Sequence, residues 1–169
     1  EAVINQLNGL WVSAAYPGIQ RSMQQDLHTL TTAHGVRPLD RHYFHHVYRK
    51  HNRRADTLAN RALDLSDEYR WNRKGLVKLF QLIAENSDEK YFVQGRFDGA
   101  YRRKCARAAI GVSLELAFES GMSQPLLDLG LETTHENSYE AELGAASRLV
   151  RECIELYTKI WMAGQPRDR

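Results

Sequence analysis

Cysteine is scarce in this sequence. Its 169 residues include only two, Cys105 and Cys153, which stand far apart and without the spacing of a metal-ligand pair. A structural zinc site needs its cysteine or histidine ligands at close, regular spacing, and a disulfide framework needs more than two cysteines. The sequence therefore argues against both, and it predicts two reduced thiols in a reducing compartment.

Long apolar runs are also missing. No apolar stretch approaches the roughly 18 residues that a membrane-spanning helix needs, so we expect no membrane partner. Together with the reduced thiols, this predicts an intracellular protein, and the sequence leaves the compartment open. The chain begins at Glu1 rather than with Met, as expected of a processed product or a fragment.

Neither sign of charge dominates. The chain has 23 Lys and Arg against 21 Asp and Glu, a formal net charge of +2. A nucleic-acid interaction would therefore depend on where the charges cluster and not on their total. With 43% hydrophobic and 26% charged residues, the composition is that of a globular protein, and the length fits about one ordinary domain.

Hydrophobic periodicity divides the chain into parts with different predicted secondary structure, and the sequence shows no internal repeat. Residues 1–66 predict helix, helix, strand and helix, the last three over 18–33, 43–48 and 53–65. Residues 67–90 are predicted as a linker that contains a short helix over 76–83. Residues 91–169 predict a meander of antiparallel strands and then one long helix. These elements cover 91–98, 108–118, 125–132 and 139–161, with Ser138 as the N-cap of the helix.

Three carboxylates occupy positions that fit either an ordinary structural role or a role in a functional site. Asp98 ends a hydrophobic strand and precedes Gly99, so it fits either a turn or a buried acid that needs a cationic partner. Asp56 and Glu142 lie near predicted helix starts. There the helix dipole alone favours an acidic residue.

Two basic clusters flank these acids, one before Asp56 and one after Asp98. Such clusters suit phosphate contacts, although a solvated basic loop has the same composition. His51 is open to two interpretations, a proton shuttle or a surface residue. The candidate nucleic-acid-binding residues are Arg49, Lys50, His51, Asn52, Arg53, Arg102, Arg103 and Lys104.

Four stretches together resemble the ribonuclease H family of the plant and bacterial, reverse-transcriptase-like type. Residues 46–60 (HVYRKHNRRADTLAN) are similar to the family's last strand and final helix, with Asp56 as a metal-site acid. Residues 97–100 (FDGA), followed by 110–112 (IGV), resemble the first hairpin, with Asp98 as the first catalytic Asp. Residues 137–145 (NSYEAELGA) resemble the start of the first helix, with Glu142 as the catalytic Glu. Residues 3–11 (VINQLNGLW) are similar to the helix that follows the family's Asp-Ser pair.

The resemblance implies an α/β fold, a ribonuclease H-like mixed sheet flanked by helices. The two halves stand in inverted order, so the chain is either circularly permuted or a junction of two tandem domains. In this interpretation 1–66 is the C-terminal-type half, 67–90 bridges, and 91–169 is the N-terminal-type half. The implied activity is hydrolysis of RNA in RNA–DNA hybrids, with Mg²⁺ or Mn²⁺ held by Asp98, Glu142 and Asp56.

The chain departs from the family pattern in two places, which keeps other functions open. The Asp-Ser acid is missing before Glu1, and residues 101–107 replace the family's glycine-rich first turn. The chain is thus an RNase H-type endoribonuclease if the missing acid is supplied, and otherwise a pseudo-enzyme. In that second case it would bind RNA or other proteins within a larger ribonucleoprotein. A third hypothesis is a plain helical interaction domain. Only the first two predict that the three acids converge.

Overall fold

The computed structural model describes residues 15–37, 43–66, 69–72 and 88–164, and the single residues Ile4, Asn8, Gln81 and Glu85. Two short 3-10 turns cover Arg49–His51 and Arg103–Cys105. The helices and strands in chain order are α1 (Pro17–His34), α2 (Arg53–Leu65), β1 (Tyr69–Asn72), β2 (Tyr91–Arg102), β3 (Arg107–Phe118), β4 (Ser123–Thr133) and α3 (Ser138–Gly164). No helix among these is long and apolar enough to cross a membrane.

Three long strands and one short strand form a sheet in the order β1-β4-β3-β2. Every strand pair is antiparallel. The predicted α/β class is confirmed, and the purely helical domain is wrong. The predicted mixed pairing does not appear in the described part of the chain. β1 lies inside the segment predicted as a linker, whereas most of the helix predicted over 76–83 falls outside the described residues.

The strand predicted over 43–48 is wrong, because this stretch is irregular and runs into the first 3-10 turn. The backbone of Phe44 is engaged by the side chain of Asn8 and not by a neighbouring strand. Phe44 is buried and Tyr43 packs beside the same cluster, but Val47 and Tyr48 are exposed, so the segment packs through its first two residues. Strand propensity needs a partner strand to be expressed.

The predicted cap of the long helix also moves by one residue. The Oδ1 of Asn137 accepts a hydrogen bond from the Glu140 N–H at 2.9 Å, and the carbonyl of Asn137 accepts from the Ala141 N–H. Asn137 is therefore the residue that satisfies the free N–H groups of the first turn. Ser138 is the first residue of α3 itself.

The helices cover both faces of the sheet. Alternate strand residues point to opposite faces, and on one face they form an aliphatic cluster that packs against α3, with α1 packed on the outer side of α3. The opposite face is covered by α2. The fully or almost fully buried sheet residues of the aliphatic cluster are Val112, Leu114, Leu116, Phe118, Leu127 and Leu129.

α2 approaches its face of the sheet through small residues. Ala55, Ala59 and Ala62 are fully buried on the helix. A Cβ added at Gly111 or Gly130 of the sheet would lie closer than 3.0 Å to backbone atoms of α2. Backbone-to-backbone contact of this kind fixes the helix at one height above the sheet, because no side chain separates the two.

Candidate functional site

Asp98 lies in β2, at the edge of the sheet that the described strands form, and on the face covered by α2. Its register partner on β3 is Gly111, and paired residues share a face. Because Gly111 has no side chain, the first turn of α2 rests directly on it through the carbonyl of Ala55. Asp56 is the next residue of that turn, so the packing brings the α2 acid to the Asp98 region.

The next residue of β2, Gly99, brings in the third acid. Gly99 points to the other face of the sheet, where a Cβ would lie closer than 3.0 Å to the Ala141 carbonyl group and the Glu142 nitrogen. The start of α3 therefore packs on the strand at the residue after Asp98. The structure thus brings together Asp98, Asp56 and Glu142, one from a strand and two from helix starts.

The electrostatics of Asp98 reflect this convergence. Its pKa is raised to about 6, first by burial and then by the negative charges of Asp56 and Glu142. The Gly99 N–H donates to its Oδ1 at 3.0 Å, and Arg49 also lowers the pKa, but neither outweighs the raising effects. Burial raises the pKa of Glu142 as well. The site therefore concentrates negative charge at a cost in free energy.

One cation already lies beside the acids. The guanidinium of Arg49 donates to Oδ1 of Asp56 at 3.0 Å. The Arg49 side chain is 82% exposed and that of Asp56 is 27% exposed. An ion pair this open contributes at most about 1 kcal/mol. The pair neutralises one carboxylate in part and leaves Asp98 and Glu142 without an ion-pair partner in the part of the chain that the structure describes.

The donor set suits a hard divalent cation, but the spacing is loose. Carboxylate oxygens are the ligands that Mg²⁺ prefers. Within residues 15–37, 43–66 and 88–164, no three His, Cys, Asp or Glu side chains come close enough together to hold a metal ion as a group. Mg²⁺ commonly keeps several waters and binds through one or two carboxylates. The chemistry of the site fits this cation, whereas a closed three-carboxylate cage is not formed by the described residues.

The two predicted basic clusters lie at opposite ends of α2. Arg49, Lys50 and His51 precede its first turn, and Arg102 pairs with Asp64 in its last turn. Asp56 and Asp64 are eight residues apart on the helix, or about 12 Å along its axis. The clusters therefore form the two ends of a stripe. Its exposed members without an ion pair in the described residues are Lys50, Arg53, Arg103 and Lys104.

Asn52, predicted as a nucleic-acid-binding residue, makes a hydrogen bond within the protein. Its Nδ2 donates to the backbone carbonyl of Phe97 at 2.9 Å, so this amide group is engaged by the protein itself. Tyr48, a residue that is 72% exposed, is an aromatic residue beside the first cluster that remains open to solvent.

Sequence reasoning did not identify the residues that allow the two helix starts to approach the sheet at Asp98. Gly99 and Gly111 were part of the compared motifs, yet their role is steric, because each removes the side chain that would hold a helix away. A glycine inside a strand pattern is the available signal for such an approach.

Comparison with family models, with curated proteins and with solved structures finds no match for this chain.

Proposed function

We propose that this chain belongs to a ribonuclease H-like nucleic-acid-binding domain that hydrolyses the RNA of RNA–DNA hybrids with Mg²⁺ or Mn²⁺. The observation that carries the proposal is the position of Asp98 in the combined field of Asp56 and Glu142. Three acids drawn from three elements to one strand position repel one another. Such an arrangement is tolerable mainly where a cation compensates the charge.

Each group would have a defined task. A divalent cation, when bound, supplies charge neutralisation at the phosphate and an activated water. Asp98, Asp56 and Glu142 are the acids that would hold it, one or two of them directly and the others through waters that the cation keeps. Lys50 and Arg53, exposed at the start of α2, would contact neighbouring phosphates and fix the register of the substrate strand.

Cleavage of a labelled RNA–DNA hybrid in the presence and absence of Mg²⁺ tests the proposal. We expect cleavage by the wild-type chain that depends on the cation and is lost in Asp98→Asn. Glu136→Gln is the matched control, because it removes an exposed carboxylate from the loop before α3. Equal cleavage by wild type and Asp98→Asn would exclude the proposed site.

A second candidate is a non-catalytic module of the same fold that binds RNA, or other proteins, within a larger ribonucleoprotein. The looseness of the acid cluster among the described residues favours it, as does the missing Asp-Ser acid. In this case the chain would retain the hybrid or RNA in a gel-shift experiment. It would cleave neither in Mg²⁺ nor in Mn²⁺, and Asp98→Asn would bind as well as wild type or better.

The inverted order of the two halves also belongs to this proposal, as a circular permutation or a tandem junction. It is supported by packing between them: α2, from 1–66, contacts β2, β3 and β4, from 91–169. Co-expression of 1–66 and 91–169 as separate chains tests whether the halves recognise each other. Co-elution as a one-to-one complex would support a single permuted domain, and independent elution would support a junction.

A further inference from the structure

The asparagine at the N-terminus of α2, Asn52, does not cap the helix with its side chain. Asn52 is the N-cap residue of α2, yet it makes no side-chain capping hydrogen bond. An N-cap Asn normally accepts a hydrogen bond from an N–H of the first turn, which is worth about 1 kcal/mol. Here that stabilisation is forgone.

The side chain of Asn52 is directed to the sheet instead. Its Nδ2 donates to the Phe97 carbonyl at 2.9 Å across 45 positions of sequence. Phe97 lies in β2, the strand at the edge of the described sheet, and it immediately precedes Asp98. The Asn52 amide thus ties the start of α2 to the strand residue beside the buried acid.

The backbone of Asn52 completes the link on the helix side. Its carbonyl oxygen accepts a hydrogen bond from the Asp56 N–H at 3.1 Å. Two consecutive hydrogen bonds therefore connect the residue Asp56, through Asn52, to the residue before Asp98. No side chain has to bridge the two carboxylates themselves, which repel each other.

This arrangement has an energetic cost. The Oδ1 of Asn52 is buried and has no hydrogen-bond partner in the described part of the chain. An unsatisfied buried carbonyl oxygen costs about 1 to 3 kcal/mol. The observed orientation of the amide therefore satisfies the carbonyl of Phe97 and leaves the side-chain oxygen of Asn52 unsatisfied.

We infer that Asn52 is a positioning residue that holds Asp56 and Asp98 at a fixed separation. This inference deepens the proposed function and rests on it for its biological meaning. Asn52 touches neither substrate nor cation in this role. It acts through the two acids, by preventing the helix start from moving away from the strand under their mutual repulsion.

A double-mutant cycle in three backgrounds tests this inference without a metal. Asp56→Asn, Asp98→Asn and the double variant are unfolded in urea at low salt and a pH near 8, and the coupling between the two acids is extracted. The backgrounds are wild type, Asn52→Ser and Asn60→Ala. Serine caps a helix well but is too short to reach Phe97, so it separates positioning from helix stability. Asn60→Ala is the matched control, because Asn60 donates its amide at 2.9 Å to the Asp56 carbonyl within α2.

We expect the coupling to fall to half or less in Asn52→Ser and to stay within about a fifth of the wild-type value in Asn60→Ala. Asn52→Ala should behave as Asn52→Ser does, with a lower stability. An unchanged coupling in Asn52→Ser, or an absent coupling in the wild type, would overturn the inference.

Calorimetric titration of the wild type with Mg²⁺ is a separate experiment. A wild type that does not bind Mg²⁺ would contradict the proposed catalytic function and leave the cycle to decide the role of Asn52.

Discussion

The peptide nitrogen of Glu142 lies directly over Gly99, so close that even a methyl group on the strand would collide with it. This contact joins the first turn of α3 to the residue after Asp98. The contact is between backbone atoms of the strand and of the helix, so no flexible side chain could move to make room for an added group. The position of the third acid is therefore set by the absence of one carbon atom.

Gly99→Ala should destabilise the protein strongly. The added Cβ meets backbone atoms of Ala141 and Glu142 closer than 3.0 Å, and overpacking against a rigid neighbour costs about 1 to 3 kcal/mol. Urea unfolding measures the loss. Gly18→Ala, in α1, is the matched control, because its Cβ would meet nothing within 4 Å and alanine is favoured over glycine in a helix. Equal stability of the two variants would contradict the close packing of α3 on β2.

The stability of the protein should fall as the pH rises from about 4 to about 6. The Asp98 pKa is about 6 in the folded chain against an ordinary value of 3.8. In that interval the unfolded chain has already lost the proton that the folded chain still binds, so ionisation favours unfolding. Below the interval both states are protonated, and above it the penalty is constant. Urea unfolding across this pH range measures the effect.

Asp98→Asn removes the titrating group and should flatten this fall, with the larger gain in stability at pH 7 to 8 rather than at pH 4. Glu136→Gln, which changes an exposed carboxylate, should leave the fall in place. A wild-type stability that rises between pH 4 and 6 and is unaffected by Asp98→Asn would mean that Asp98 is not held against its neighbours as described.

Local pattern was sufficient to predict the three helices that the structure describes, whereas the first predicted helix and the one over 76–83 lie mostly outside the described residues. The bounds 53–65 predicted for α2 agree with the structure, because the alanines and leucines at helical spacing are the residues that pack on the sheet. The predicted strand 91–98 was too short, since Asp98 before Gly99 fits a turn as well as it fits a buried strand end. The structure continues β2 to Arg102 because β3 offers a partner at every residue, and pairing is not visible in one strand alone.

The sequence proposed three acids as a set, but it did not predict the packing that brings them near one another. Asp98, Asp56 and Glu142 were identified together only through a family resemblance, since each alone fits an ordinary turn or helix start. Their convergence depends on Gly99 and Gly111, whose effect lies in contacts far apart in the chain. The sequence shows that a glycine is present, but only the fold shows which helix backbone packs against it.

Ala106→Gly should stabilise the hairpin between β2 and β3. Ala106 has φ +48°, in the left-handed region, after the 3-10 turn Arg103–Cys105. This conformation costs an alanine roughly 1 kcal/mol and costs a glycine almost nothing. Urea unfolding should show a gain of about that size, reduced by the greater freedom of glycine in the unfolded chain. Ala108→Gly, at a fully buried strand position, should lose stability instead, and a loss in both variants would contradict the assigned turn.

If the proposed nucleic-acid binding is correct, its salt dependence should identify which end of the α2 stripe contacts phosphates. Lys50 and Arg53 are exposed beside the acids and have no ion pair in the described residues. If each contacts one phosphate of an RNA–DNA hybrid, removing both as Lys50→Ala and Arg53→Ala reduces the slope of log affinity against log salt by about 1.8. Fluorescence anisotropy between about 50 and about 200 mM salt measures the slope. Lys90→Ala is the control, since Lys90 adjoins Glu119 at the far end of β2. An equal slope for the double variant and wild type would place the phosphates elsewhere on the surface, with Arg103 and Lys104 as the next residues to substitute.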